Sequence, residues 1–182
     1  MVGKHISYSE WKNWSICPYY HKLTYIDKVK QFQGNIHTAF GKALHTLCEE
    51  TLTKTEQYKS SEKIITLLKK EFVKELKALP VEEQQRANND FNLREWMDKG
   101  IEIIPDLYRT LVDKFGKLGE DWHVLAAEEK LYEPIPEFTD AEKKFKGFID
   151  LVVMSNKDKK VHLIDWKTCS WGWTRDKKSD AM

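Results

Sequence analysis

Apolar residues recur at the three- and four-residue spacing of amphipathic helices over the first two thirds of the chain. Ser7 and Glu10 have the spacing of a helix-capping box, and Pro18 ends this first helix and opens a second one that reaches Ile26. Three longer helical patterns follow, over about 36–53, from 60 to Pro80, and from 82 to 116. We expect Gly100 and Pro105 to kink or split the last of them.

The period changes to that of β-strands from Trp122 onwards. Strands are predicted over 122–132, 145–154 and 161–168, and the polar segment between the last two predicts a hairpin turn centred between Lys157 and Asp158. Helices followed by an antiparallel meander indicate one α/β domain of α+β order. We expect a helical part over 1–120, a strand core over 121–168 and a polar tail over 169–182.

Composition narrows the class of protein. The 182 residues are 41% hydrophobic and 32% charged, which is typical of one soluble globular domain. No apolar run reaches membrane-spanning length and the first residues lack the apolar core of a signal peptide, so we expect a cytoplasmic protein. Three widely spaced cysteines, Cys17, Cys48 and Cys169, indicate no disulfide framework.

The net charge of +1 excludes a global basic field that would recruit nucleic acid, so any such binding needs a local patch. Lysines do cluster around the hairpin and the tail, at positions 143, 144, 146, 157, 159, 160, 177 and 178. They are either such a patch or solvated loop charges.

Two carboxylates stand in the predicted hairpin where a core strand normally avoids them. With the turn centred as above, Asp150 lies opposite Asp165, about 5 Å away at Cβ. Carboxylates this close favour a cation between them, and hard divalent metals take such oxygen ligands. Asp165 and Lys167 share a strand face, with Trp166 on the other. If instead the hairpin lay at a sheet edge, both aspartates could simply face solvent.

A histidine adds a candidate ligand from the helical part. His45 lies at the edge of the apolar stripe of the 36–53 helix, one turn after Gly41, whose missing side chain leaves room beside the imidazole. A lone helical histidine is more often a packed core residue than a ligand. The hairpin carboxylates favour the ligand.

Together these motifs resemble the PD-(D/E)xK nuclease superfamily, and within it the RecB-like branch of recombination exonucleases and CRISPR-adaptation nucleases. The resemblance rests on Gly41-x-x-x-His45, a glutamate near the first strand, Gly147-Phe148-Ile149-Asp150 and Ile164-Asp165-Trp166-Lys167-Thr168. It runs from about Ile6 to Thr168 and implies a restriction-endonuclease-like core. It also implies an Mg²⁺- or Mn²⁺-dependent deoxyribonuclease, with DNA single strands or duplex ends as substrate.

The resemblance implies roles residue by residue. Asp150 and Asp165 would bridge the metal, with His45 and the Trp166 carbonyl as further ligands, and Lys167 would orient the attacking water. Glu128 would match the upstream catalytic glutamate, although Glu129 remains an alternative. Apart from the resemblance, Trp166, Trp171 and Trp173 together with Arg175, Lys177 and Lys178 are candidates to stack and clamp single-stranded bases. Alternating aromatic residues are, however, more often packed within a hairpin.

The chain departs from the family pattern near its end. Relatives continue into a helix with a glutamine and a tyrosine, so we expect the C-terminal part to be truncated. Relatives with an iron–sulfur cluster use one N-terminal cysteine and three C-terminal ones; Cys169 stands alone, so we expect no cluster here.

These features predict an exonuclease of recombination, repair or phage replication, in a prokaryotic or phage-infected cell, with a helicase, a recombinase or a second copy as candidate partner. One alternative is a catalytically inactive module that retains the fold and binds nucleic acid or a partner. Another is a metal-dependent hydrolase of a different substrate.

Overall fold

The computed structural model describes residues 5–29, 33–55, 60–135 and 143–167. It begins with a short strand, β1 (His5–Ser7), which leads into helices α1 (Tyr8–Ile16) and α2 (Pro18–His21) and then a π-helical turn, Lys22–Ile26. The Ser7 side chain accepts the Glu10 backbone N–H at 3.2 Å, so the predicted cap is present. β1 was not predicted, because three residues are too few to show a strand period.

Four longer helices follow: α3 (Ile36–Thr53), α4 (Ser61–Lys77), α5 (Val81–Asp90) and α6 (Leu93–Phe115). The Ser60 side chain caps α4 by accepting the Lys63 N–H. The predicted split at Gly100 or Pro105 is wrong, since α6 is continuous through both. The break lies at Phe91 and Asn92, where the Asn92 side chain accepts the Glu95 N–H and starts α6.

Gly100 serves packing rather than bending. It is buried in α6, and a Cβ built there would lie 2.6 Å from Leu68 Cδ2 and 3.3 Å from Phe40 Cζ. The missing side chain therefore lets α6 approach α3 and α4 closely. These three helices enclose the first hydrophobic core, whose fully buried members include Ala43, Leu44, Leu47, Leu68, Phe72 and Ile104.

The sheet is built around one strand, β3 (Lys144–Ser155). β2 (Trp122–Pro134) pairs antiparallel along the whole of one edge. β1 pairs parallel with 144–146 on the other edge, and β4 (Lys160–Ile164) pairs antiparallel with 151–155. The predicted fold class, an antiparallel meander within a mixed sheet preceded by helices, is therefore confirmed.

The hairpin register is also confirmed. Ser155 pairs with Lys160, and each further pair up to Leu151 and Ile164 keeps the turn centred between Lys157 and Asp158. β4 ends at Ile164, before the predicted Thr168, and Thr168 itself lies outside the described residues.

A second core joins the helices to the sheet. It consists of Leu52 from α3, Leu111 and Phe115 from α6, Trp122 from β2, and Leu151 and Val153 from β3. The Trp122 indole N–H donates to the Gly116 carbonyl at 2.9 Å, which satisfies the polar edge of a fully buried ring. Among the described residues, no helix is long and apolar enough to cross a membrane.

Candidate active site

Asp150 occupies the middle of the central strand, and only 16% of its side chain is exposed. A carboxylate in such a place needs hydrogen-bond donors or a nearby positive charge, because loss of solvent penalises its ionised form. One donor is the Trp166 backbone N–H, which lies 2.6 Å from Asp150 Oδ2. This bond fixes the segment that follows β4 against the central strand.

His45 approaches the same carboxylate from α3. Its Nδ1 atom lies 3.7 Å from Asp150 Oδ2, and 38% of the His45 side chain is exposed. The start of α3 is fixed by a capping box, in which the Asn35 side chain accepts the Thr38 N–H and the Thr38 hydroxyl accepts the Asn35 N–H. The structure thus brings together the predicted helical ligand and the predicted strand carboxylate, 105 residues apart in sequence.

Asp165 and Lys167 project from the segment after β4. As predicted, they share one side, while the Trp166 ring packs against both hydrophobic cores. The Lys167 ammonium donates to Asp165 Oδ1 at 2.6 Å, and 61% of the Asp165 side chain is exposed. One further step of the register would place Asp165 opposite Asp150, but here its carboxylate turns to the lysine. Within the described ranges, no three histidine, cysteine or acidic side chains converge closely enough to hold a metal.

The strand register distinguishes the two candidate glutamates on β2. Ala127 pairs with Leu151 and Glu129 pairs with Ile149, so Glu128 lies between them, opposite Asp150. Glu128 also has a φ of 47°, a left-handed backbone conformation that is rare for a residue with a side chain. Such strained positions concentrate at functional sites.

Glu49 joins this group although the sequence reading did not single it out. Burial raises the pKa of the Glu49 carboxyl, and the charge of Glu128 and a hydrogen bond with its side chain raise it further. Glu49 lies four residues after His45, so the two side chains share one face of α3. That spacing was the signal available in the sequence, but the proximity of Glu128 appears only in the tertiary structure.

The floor of the site is apolar. Burial, followed by the negative charge of Asp150, raises the pKa of the Cys48 thiol to about 12. Cys48 therefore stays a neutral thiol at physiological pH, and a neutral thiol is a poor metal ligand. Metal binding here would rest on imidazole and carboxylate donors.

The predicted base-clamping residues Trp171, Trp173, Arg175 and Lys177 lie outside the described residues. Lys178 lies outside them too. Trp166, the remaining member of the predicted group, has its ring packed against the two cores.

The donor types fit a divalent metal. A carboxylate and an imidazole already face each other across 3.7 Å, and carboxylates with histidine suit Mn²⁺ as well as Mg²⁺. The exposed Asp165 carboxylate directly follows Ile164, the last residue of β4 paired with β3. It would complete the set of metal ligands after its ion pair with Lys167 breaks.

Comparison with known proteins gives one match. The family model of the PD-(D/E)XK nuclease superfamily matches residues 5–180, nearly the whole chain. Neither a curated protein nor a solved structure matches.

Proposed function

We propose, since this chain belongs to the PD-(D/E)XK nuclease superfamily, that it hydrolyses DNA as an exonuclease of the RecB-like branch. Membership itself supports a metal-dependent nuclease, which is a phosphodiester hydrolase with a nucleic acid as substrate. The preference for DNA, the action on ends and the setting in recombination, repair or phage replication belong to the proposal.

The observation that carries the proposal is the environment of Asp150. Its carboxylate has the His45 imidazole at 3.7 Å and accepts the Trp166 N–H at 2.6 Å. The imidazole can pair with this carboxylate or join it in binding a metal, and membership of a metal-dependent nuclease superfamily favours the metal. A partly buried carboxylate beside an imidazole is a suitable start for a metal site.

His45, Asp150 and Asp165 would hold Mg²⁺ or Mn²⁺, with the Trp166 carbonyl as a further ligand. The metal, when bound, polarises the phosphoryl oxygen and lowers the pKa of its water. The Trp166 N–H bond supports this assignment, because it leaves the second oxygen of Asp150 available for coordination.

Lys167 would supply positive charge to the phosphoryl group and orient the attacking water. Its ammonium is exposed and already held beside Asp165, so it stands next to the proposed metal ligands. A fixed cation aimed at developing negative charge is the usual source of such catalysis. Glu128, opposite Asp150, would accept a proton or orient the attacking water. The hydrogen bond between the Glu49 and Glu128 side chains supports this role.

Cleavage of end-labelled DNA tests the proposal. Single-stranded and duplex substrates are incubated with Mg²⁺ or Mn²⁺ and wild-type protein, Asp165→Ala or Lys167→Ala. We expect both variants to lose cleavage, whereas Lys157→Ala, in the β3–β4 turn, retains it. Equal cleavage by all four proteins would overturn these roles, and internal cuts in circular DNA would exclude a purely end-acting enzyme.

One observation favours the second candidate, an inactive module that binds nucleic acid or a partner. Asp165 is paired with Lys167, and no group of three metal-binding side chains is assembled among the described residues. DNA binding without cleavage at any concentration of either metal would establish this alternative.

A further inference from the structure

Lysines and aromatic rings alternate on one face of the sheet, at the end where β3 begins. We name five residues the cationic strip: Lys130 and Tyr132 on β2, and Lys144, Lys146 and Phe148 on β3. Phe148 pairs with Lys130 and Lys146 pairs with Tyr132, so the two strands present these side chains side by side. Strand alternation then places all five on the same face.

The contacts within the strip confirm this common face. The Lys130 and Lys144 ammoniums lie 5.2 and 5.1 Å from the centre of the Tyr132 ring. The Lys146 ammonium lies 5.3 Å from the centre of the Phe148 ring. These are cation–π distances, and they hold three positive charges close together. His5 of β1 extends the strip, with its ring 6.1 Å from that of Tyr132.

The strip lies along β3 ahead of the candidate active site. Asp150 follows Phe148 by two residues on the same strand. From Lys144 to Asp150 the strand covers about 20 Å, at ~3.3 Å per residue. That length corresponds to roughly six stacked nucleotides, at ~3.4 Å for each nucleotide of a strand.

We propose that the cationic strip binds the backbone and bases of a single-stranded nucleic acid and directs it along β3 towards Asp150. This inference rests on the proposed nuclease function and adds a binding site outside the metal ligands. Lys130, Lys144 and Lys146 neutralise successive phosphates. Phe148, with 53% of its surface exposed, stacks a base on the ring face that Lys146 leaves open. Tyr132 positions two of the lysines.

The positive charges and the exposed ring of the cationic strip favour a single-stranded nucleic acid. Three neighbouring cations attract a polyanion, and the exposed Phe148 ring beside them suits an unpaired base, which stacking recognises without regard to sequence. A duplex hides its base faces and would gain only the phosphate contacts. An acidic protein segment would satisfy the charges but would have no base to place on Phe148.

The remaining lysines of the hairpin are separated from the strip. Lys157, Lys159 and Lys160 lie at the turn and the start of β4, beyond the opposite end of β3. Within the described residues, the lysine cluster seen in the sequence therefore consists of two groups, and only the group at the start of β3 is interleaved with aromatic rings. This separation provides a control for the charge of the hairpin as a whole.

Binding of a fluorescent oligothymidylate, followed by anisotropy in EDTA over a range of salt concentrations, tests the strip. The triple variant K130Q/K144Q/K146Q keeps side-chain length and removes the charges. We expect the slope of log affinity against log salt to fall by roughly 2, at about 0.7 for each lost phosphate contact on a single strand. K130R/K144R/K146R should retain the slope, and K157Q/K159Q/K160Q should leave it unchanged.

The aromatic part is tested by Phe148→Ala, which should weaken single-strand binding by about 5- to 100-fold and leave the salt slope unaltered. Duplex binding should change little. If the glutamine and alanine variants bind as wild type does while wild type cleaves DNA, the strip is wrong and the nuclease stands. If the strip variants lose binding but wild type never cleaves, the strip stands and the nuclease function fails. Equal losses on acidic polypeptide would show that charge alone is recognised and would overturn the stacking role.

Discussion

The two ends of β3 differ in the burial and the charge of their side chains. At the end from Leu151 to Ser155, alternate side chains are fully buried, and β2 and β4 pair with both edges. At the end from Lys144 to Phe148, the side chains are half-buried or exposed, and two of them, Lys144 and Lys146, carry charge. Asp150 lies where one environment changes to the other. The contrast shows that a single strand can hold the fold at one end and present binding groups at the other.

The largest expected effect falls on the buried end. Leu151→Ala should lower the free energy of unfolding by about 2–5 kcal/mol, because a fully buried side chain is lost and a cavity remains. Phe148→Ala, at the exposed end, should change it by less than about 1 kcal/mol. Urea denaturation of both variants measures the difference. Comparable losses would mean that the exposed end also stabilises the fold.

A substitution of Asp150, between the two ends of β3, should lower cleavage activity without lowering stability. Asp150→Asn keeps an oxygen acceptor for the Trp166 N–H but removes the negative charge. We expect cleavage to fall roughly 10²–10³-fold, the usual scale for losing one preorganised electrostatic contact, while the unfolding midpoint changes little. Initial rates of DNA cleavage and thermal unfolding provide the two readouts. A variant that cleaves normally would remove Asp150 from the site.

Trp122 tests the buried end from the β2 side, since it pairs with Ser155. Trp122→Phe should lower the free energy of unfolding by about 1–3 kcal/mol, because the Gly116 carbonyl loses its buried donor. Trp14→Phe is the matched control, since Trp14 is exposed on α1 and should cost nothing measurable. Circular dichroism during denaturation reads both without relying on tryptophan emission.

The smallest expected effect concerns Glu49, beside the boundary. Its pKa is raised in the folded state, so the stability that it contributes is present below the ordinary glutamate pKa and is lost as pH rises through the folded value. Glu49→Gln should therefore stabilise the protein at neutral pH by roughly 0.2–1 kcal/mol, the scale of solvent-screened charge pairs. Near pH ~4 the gain should vanish.

Thermal midpoints of wild type and Glu49→Gln across this pH range provide the measurement. Glu102→Gln, on the exposed side of α6, should show no such dependence. A gain at neutral pH that persists in acid would point to a cause other than burial of the charged carboxylate and repulsion from Glu128.

The regular parts of this fold were predictable because their signals are local. The observed bounds of α3 agree with the prediction, which rested on one continuous apolar stripe. The β3–β4 register followed from a short turn between two apolar runs. The break between α5 and α6 was misplaced, because the glycine and proline that suggest a break are accommodated by packing and by a continuous helix, whereas Asn92 starts a new one.

The candidate site was predictable only where its residues follow one another closely. Asp150, Asp165 and Lys167 belong to one hairpin, so their spacing indicated a site. Glu49 could not be assigned to the site from the sequence, because its neighbour Glu128 lies on β2, far along the chain. The cationic strip could not be predicted for the same reason, since pairing between β3 and β2 is needed to place Lys130 beside Phe148.

The hydrogen bond from the Trp166 N–H to Asp150 spans 16 positions of sequence, whereas His45 reaches the same carboxylate from 105 positions away. Closing a short loop costs little conformational entropy, and long-range contacts cost more. We therefore expect the hairpin half of the site to form early in folding and the α3 half to dock later. A partly folded chain would then carry the two hairpin aspartates, Asp150 and Asp165, without His45. The complete site would form only when the helices have packed against the sheet.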